Sequence, residues 1–209
     1  YEWRSLLDVA LALRERGMTV EETLVATPLD YDVRWYSSVR AGDHLEVTVQ
    51  VDEVRPSPDG ATVTVVTSAT DAEGTPVSRS RAHVLFPESK LEGEPRSRSA
   101  GDAPAPANRI ADGHAPVVDL RAAWSNPDAV IRRGRRRVGA PAAHVFSECT
   151  GIWNPVYTDK AVALRHGRAF LALPPAGTLA MTVGGALQLG SADPSWVRRV
   201  HAEFAAPVP

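Results

Sequence analysis

"CTGIWNPVYTDKAVALRHG", residues 149–167, is the stretch on which the fold assignment turns. Asn154 and Pro155 sit between Trp153 and Tyr157, just ahead of an Ala-rich run. Proline fixes φ near −65° and carries no amide hydrogen, and it pushes the preceding residue into an extended conformation. Taken alone, Asn-Pro is a turn. Asp159 then caps a short helix over "DKAVALRHG", because Asp is a favoured N-cap residue. Two aromatics around the turn leave two further readings open: a ligand site, or an active site whose chemistry has been altered.

The bulk composition narrows the function classes. The chain has 209 residues, 44% hydrophobic and 23% charged, with a formal net charge of −2. That is enough for one large domain or two small ones with a sizeable core. The charge balance gives no support to general nucleic-acid binding. No apolar run is long enough to cross a bilayer, and residues 1–20 lack the layout of a signal peptide. A single cysteine, Cys149, excludes an internal disulfide and a cysteine-built zinc cage; it is expected to be a small buried hydrophobe. A cytoplasmic protein is the simplest expectation. The chain opens on Tyr1 and stops at "AEFAAPVP", so both ends are expected to be cut.

Upstream, "WRSLLDVALALRER" (3–16) sets Trp3, Leu6, Leu7, Ala10 and Leu13 on one helical face, with Gly17 as a stop. The period then changes. "LEVTVQV", "ATVTVVTSATD" and "VSRSRAHVLF" alternate at strand spacing and are joined by the turns "SPDG" and "AEGTP", with "RAGD" turning ahead of the first. A helix followed by at least three strands reads as an antiparallel meander. Residues 87–116 are rich in Pro, Gly, Ser and Ala and cannot bury enough surface to offset ordering entropy, so they read as a linker. Beyond it, "PAGTLAMTVGGALQL" is a longer apolar helix whose two central glycines predict close packing, and "WVRRVHAEFAAPV" alternates as a strand. The two halves are expected to be the same kind of unit, with the second lacking its meander.

With "GTLAM" further on, "FSECTGIWNPVYTDKAVAL" resembles the MaoC-like (R)-specific enoyl hydratases and 3-hydroxyacyl dehydratases. "VRWYSSVRAGDHLEVTVQV" and "DAEGTPVSRSRAHVLF" look like the companion unit of double-hotdog members. The resemblance covers most of residues 31–86 and 138–209. It implies an α+β double hotdog, in which a long helix is wrapped by antiparallel sheet: residues 1–86 form the first unit, 87–116 the linker and 117–209 an incomplete second unit. It also implies an acyl thioester on coenzyme A or a carrier protein as partner, no cofactor, and self- or hetero-association through hotdog sheets. His144 and His166 lack ligand-spaced partners, so no metal is expected, and charge and hydropathy give no expectation of nucleic acid or membrane.

The family's Asp and His hold the water that adds to, or leaves from, an α,β double bond. Asn154 and Pro155 match the pattern Asp-x-Asn-Pro-x-His, but Ile152 stands at the Asp position and Tyr157 at the His position. Isoleucine has no proton to exchange, and a phenol with a pKa of about 10 is a poor base at neutral pH. Tyr157 therefore reads either as a core aromatic or as a hydrogen-bond donor in a substrate tunnel. Asn154 would orient the substrate, Trp153 and Pro155 would flank it, and Asp159 is a lesser catalytic candidate beside its capping role. Direct alignment puts Pro175 where the family has a glycine amide; a two-residue shift lets Gly177 and Thr178 supply the oxyanion amides instead. Arg135 and Arg136, within "RRGRRR", fit phosphates of coenzyme A or an acidic carrier, while the default for such a run is a solvated strand face. Three functions follow: a dehydratase-lineage enzyme with non-standard chemistry (dehydration, isomerisation or cyclisation of an acyl or polyketide-type thioester), a catalytically silent subunit, or a hotdog thioesterase. The last needs a poised carboxylate, and Glu148, Asp159 and Glu203 are the ones to hand.

Overall fold

The computed structural model describes residues 2–15, 17–91, 94–97, 138–139, 141–151, 153–167, 174–189 and 197–204. Helix α1 (Glu2–Glu15) takes in residues 3–15 of the predicted 3–16 span, and Arg16 lies outside the described residues. It stops at Gly17 (φ 102°), where the Gly17 amide donates to the Arg14 carbonyl and the Met18 amide to Leu13, each within 3.1 Å. That paired closure is the usual glycine-terminated helix end. Helix α2 (Val20–Leu24) was not expected from the hydrophobic pattern. Its signal lies in "TVEE": the Thr19 amide donates to Glu22 at 2.7 Å and the Glu22 amide donates to the Thr19 hydroxyl at 3.2 Å, a reciprocal cap.

The three predicted strands are present as β2 (Glu46–Ser57), β3 (Gly60–Thr70) and β4 (Pro76–Pro87). The meander reading missed one strand, β1 (Thr27–Trp35), which pairs antiparallel with β4. A two-residue strand, β5 (Arg96–Ser97), lies within the segment read as a linker and pairs with β2. The "SPDG" turn requires its glycine. Gly60 has φ 148°, and an added Cβ would stand 2.2 Å from the Phe86 carbonyl oxygen.

In the second half, α3 (Ala142–Thr150), α4 (Pro155–Thr158) and α5 (Lys160–Arg165) surround the Asn-Pro motif, followed by α6 (Pro175–Leu189) and β6 (Arg199–Glu203). Helices α5 and α6 and strand β6 fall where the sequence places them. Close packing at the glycine pair is not seen at Gly184, where an added Cβ would meet nothing within 4 Å. Cys149 is exposed rather than buried. The inward positions of α3 are Ala143 and Ser147, one turn apart, and Cys149 lies off that stripe.

The six strands form one antiparallel sheet in the order β5-β2-β3-β4-β1-β6. The strand that follows the helices of the first half, β1, therefore pairs with the strand that follows the helix of the second half, β6, with Val33 opposite Val200. Two apolar clusters lie against this sheet. Val9 and Leu13 of α1 pack on Val63, Val65, Val84 and Phe86, while Leu179 of α6 packs with Tyr31, Val33, Ala82 and Val200. Fully burying a valine such as Val33 or Val65 stabilises the fold by about 1.5–3 kcal/mol. Two helices thus lie on a shared sheet, one over each half, and the space between them holds the candidate site. This is the double-hotdog architecture, with the second unit represented, among the described residues, by its helices and one strand.

Candidate functional site

A cavity of about 320 Å³ opens between α1, α2, α3 and the start of α6. Its floor is the apolar core of the first unit: Val65, Val84 and Phe86. Phe146, Pro174, Pro175 and Ala176 close one side, and Val9 and Ala10 the other. At the mouth stand Leu11, Val20 and Trp153, which keep 46%, 41% and 51% of their surface exposed. Large apolar residues that remain open to solvent around a recess mark a binding surface more than a stability element.

Asn154 and Tyr157 both line this cavity. Asn154 is held on two sides. Its side-chain oxygen accepts the Val156 amide at 2.9 Å, capping α4, and its Nδ2 donates to the Leu24 carbonyl at 3.1 Å. The second contact joins the Asn-Pro loop to the end of α2 in the first unit, so Asn154 is also a clasp between the halves. Pro155 occupies the first position of α4, where its missing amide hydrogen has no consequence. Tyr157 then falls one turn into the segment and presents a half-buried ring to the cavity.

The other predicted site residues fall in different places. Trp153 is at the mouth, with its ring 6.5 Å from that of His144. Asp159 is exposed and caps α5, its Oδ1 accepting the amides of Ala161 (2.8 Å) and Val162 (3.2 Å). Gly177 is buried in the first turn of α6. The Thr178 amide is turned into the helix, donating to the Pro174 carbonyl at 3.0 Å. In a first turn that begins Pro174-Pro175, the amides with no carbonyl available within the helix are those of Ala176 and Gly177. Ile152, Arg135 and Arg136 lie outside the described residues. Glu148 and Glu203 are exposed, and neither they nor Asp159 lines the cavity.

The sequence reading missed the contribution of the first half: Arg14, Thr23, Leu24 and the β3–β4 floor all belong to the same cavity. One signal was available. Ala10 is a small residue in the middle of the apolar stripe of α1, and a small side chain facing a core of valines leaves room. Among the described lining residues, Arg14 is the one with a full charge at neutral pH, and the hydroxyls are those of Thr23, Ser147 and Tyr157.

No family model matches the sequence, and no curated protein matches it. Solved structures do. A MaoC-like dehydratase from Phytophthora capsici superposes with a TM-score of 0.62 at 16% identity, covering 91% of this chain and 60% of its own. HtdX of Mycobacterium tuberculosis gives 0.63 at 14% identity, covering 98% and 68%. Another Mycobacterium tuberculosis protein, described as having a double hotdog fold, gives 0.53 at 18% identity, covering 98% and 64%. The chain thus spans between 60% and 68% of the length of these three structures. No described helix is long and apolar enough to cross a membrane. At identities this low the likeness is one of fold: the chain has the double-hotdog architecture of the MaoC-like dehydratases.

Proposed function

We propose that the cavity between α1 and α6 receives the acyl part of a thioester, carried on coenzyme A or a carrier protein, and that Tyr157 handles it by chemistry without the usual Asp–His pair. The supporting observation is that Asn154 and Tyr157, two matched motif positions among the described residues, face an apolar cavity of about 320 Å³. Such a space suits an alkyl chain, because burying methylene groups gains about 0.8 kcal/mol each. The start of α6 adds two first-turn amides, at Ala176 and Gly177, on the side where a thioester carbonyl would develop negative charge.

Dehydration of a 3-hydroxyacyl thioester breaks a C2–H bond and a C3–O bond, forms the double bond and releases water. In the described lining, Tyr157 is the one group able to take the C2 proton and return it to the departing hydroxyl. A neutral phenol is a weak base, so turnover by this route is slow. Isomerisation or cyclisation of a polyketide-type chain needs only the proton shuttle or the hydrogen bond and fits the same groups.

A silent binding subunit is the second reading, and it rests on one observation: no carboxylate or imidazole is among the described lining residues. A thioesterase has less support, because its candidate carboxylates lie off the cavity. Crotonyl-CoA and a longer enoyl-CoA distinguish these. Loss of enoyl absorbance that Tyr157→Phe abolishes supports the enzyme. Saturable binding without turnover supports the silent subunit, and absence of both overturns the assignment of the cavity to thioesters.

A further inference from the structure

The face of the sheet turned away from the helices carries an unusual row. Tyr31 and Val33 point into the core, so Arg34 projects to the opposite face by strand alternation. In register, Arg34 stands directly opposite Arg79 on β4 and directly opposite Arg199 on β6. Three arginines therefore occupy facing positions on three adjacent strands. Like charges directly opposite one another destabilise a sheet unless something neutralises them.

Only one of the three is neutralised from within. Asp32 takes Arg199 with both oxygens, accepting Nε at 2.9 Å and the adjacent Nη2. Other described carboxylates of this face also have partners: Arg81 reaches the bulged Asp52 at 3.1 Å, Arg55 pairs with Glu53, Asp30 lies 3.0 Å from His83 Nδ1, and Glu203 lies 3.4 Å from His201 Nε2. Arg34 contributes to the field at Asp32 but forms no ion pair with it. Among the described residues, Arg34 and Arg79 have neither an ion pair nor a side-chain hydrogen bond. The row continues with hydroxyls, Ser68 opposite Arg79 and Thr48 opposite Ser68, which adds donors and no further carboxylate.

We propose that Arg34 and Arg79, flanked by Arg199 and Ser68, form a site for an oxyanion of the diphosphate class on the sheet face opposite the acyl cavity. Adjacent strands are about 4.8 Å apart, so two neighbouring guanidinium forks can each meet one end of a diphosphate with paired hydrogen bonds. The ligand supplies the charge that the row lacks. The same chemistry is offered by inorganic diphosphate and by the diphosphate of a nucleotide. The proposal is independent of what the cavity binds.

Thermal unfolding and calorimetric titration at low ionic strength test it, with inorganic diphosphate and ADP as probes and sodium chloride at matched ionic strength as the control. Both probes should bind saturably and raise Tm beyond the chloride control. The Arg34→Gln/Arg79→Gln variant should start at a Tm equal to or above that of the parent, since the repulsion is gone, and should bind at least about tenfold more weakly. A merely structural role for the arginines would lower the starting Tm. Should that variant fail to fold, Arg34→Lys/Arg79→Lys keeps the charge and loses the fork, and it must weaken binding. Diphosphate that gives no more than chloride, binding unchanged in either variant, or binding of ADP without inorganic diphosphate each overturns the site.

Discussion

Asn154 donates from Nδ2 to the carbonyl of Leu24 at 3.1 Å, across 130 positions of sequence. The bond fastens the Asn-Pro loop of the second unit to the last turn of α2 in the first, at the wall of the cavity both units share. Asn154→Asp keeps an acceptor for the Val156 amide but has no donor for Leu24 and sets a carboxylate against a carbonyl. Asn154→Ala loses both contacts. Leaving a partly buried carbonyl unpaired costs about 1–3 kcal/mol. Each variant should therefore lower the urea midpoint, and the Asp variant should do so while α4 remains capped. An unchanged midpoint in both would show that the clasp is incidental.

Restoring the acid–base pair tests the lineage directly. Ile152→Asp with Tyr157→His places the two family residues at their matched positions. A proton-transfer group in place is worth on the order of 10²–10⁴-fold in rate. The double variant should hydrate crotonyl-CoA at least about 10²-fold faster than the parent, and either single change should give much less. A folded double variant with no gain would mean that the surrounding loop no longer holds a water in the hydratase position.

Much of this arrangement was legible in the sequence, and what was not has physical reasons. Helix α6 starts at Pro175 and runs through an uncharged, mostly apolar stretch, so its span follows from composition. Strand β1 carries the strand signal too, since "LDYDVRW" alternates apolar with charged residues, but Pro28, which cannot donate to a ladder, and the lack of a turn leading into it set it apart from the meander. Its identity comes from partners far along the chain, such as Ala82 and Ala202 opposite Tyr31. The motif residues Asn154 and Tyr157 could be picked out by resemblance. Their cavity could not, since its floor of Val65, Val84 and Phe86 comes from strands that look like any buried strand. The arginine row is invisible for the same reason: Arg34, Arg79 and Arg199 are neighbours only through register.

The Asp32–Arg199 pair ties the two units on the outer face and predicts an acid dependence. The Arg199 hydrogen bonds hold the Asp32 carboxyl below its usual range, against an opposing effect of partial burial. A depressed carboxylate pKa stabilises the fold fully above the unfolded value, near 3.9, and that contribution disappears as pH falls through the folded value. Unfolding midpoints should therefore drop below about pH 4, and Asp32→Asn should be less stable than the parent at pH 7 but converge with it in acid. Parallel curves down to about pH 2 would remove the pair from the contacts that hold β6 to β1. Glu22, lowered by the Thr19 amide and hydroxyl, shifts in the same direction, so Glu22→Gln is the necessary companion measurement.

The shape of the cavity yields the last prediction. Ala10 faces the recess from α1 and Ala176 from the first turn of α6. Ala10→Phe fills apolar space, a change that commonly adds about 0.5–2 kcal/mol when no clash results. It should leave the unfolding midpoint equal or higher while weakening a long-chain enoyl-CoA by at least about tenfold, since each methylene excluded forfeits about 0.8 kcal/mol. Crotonyl-CoA, which needs little of the recess, should be affected less. The chain-length dependence is what matters: equal weakening of short and long thioesters would mean that the added ring disturbs the mouth. No weakening of either would place the acyl chain somewhere other than between α1 and α6.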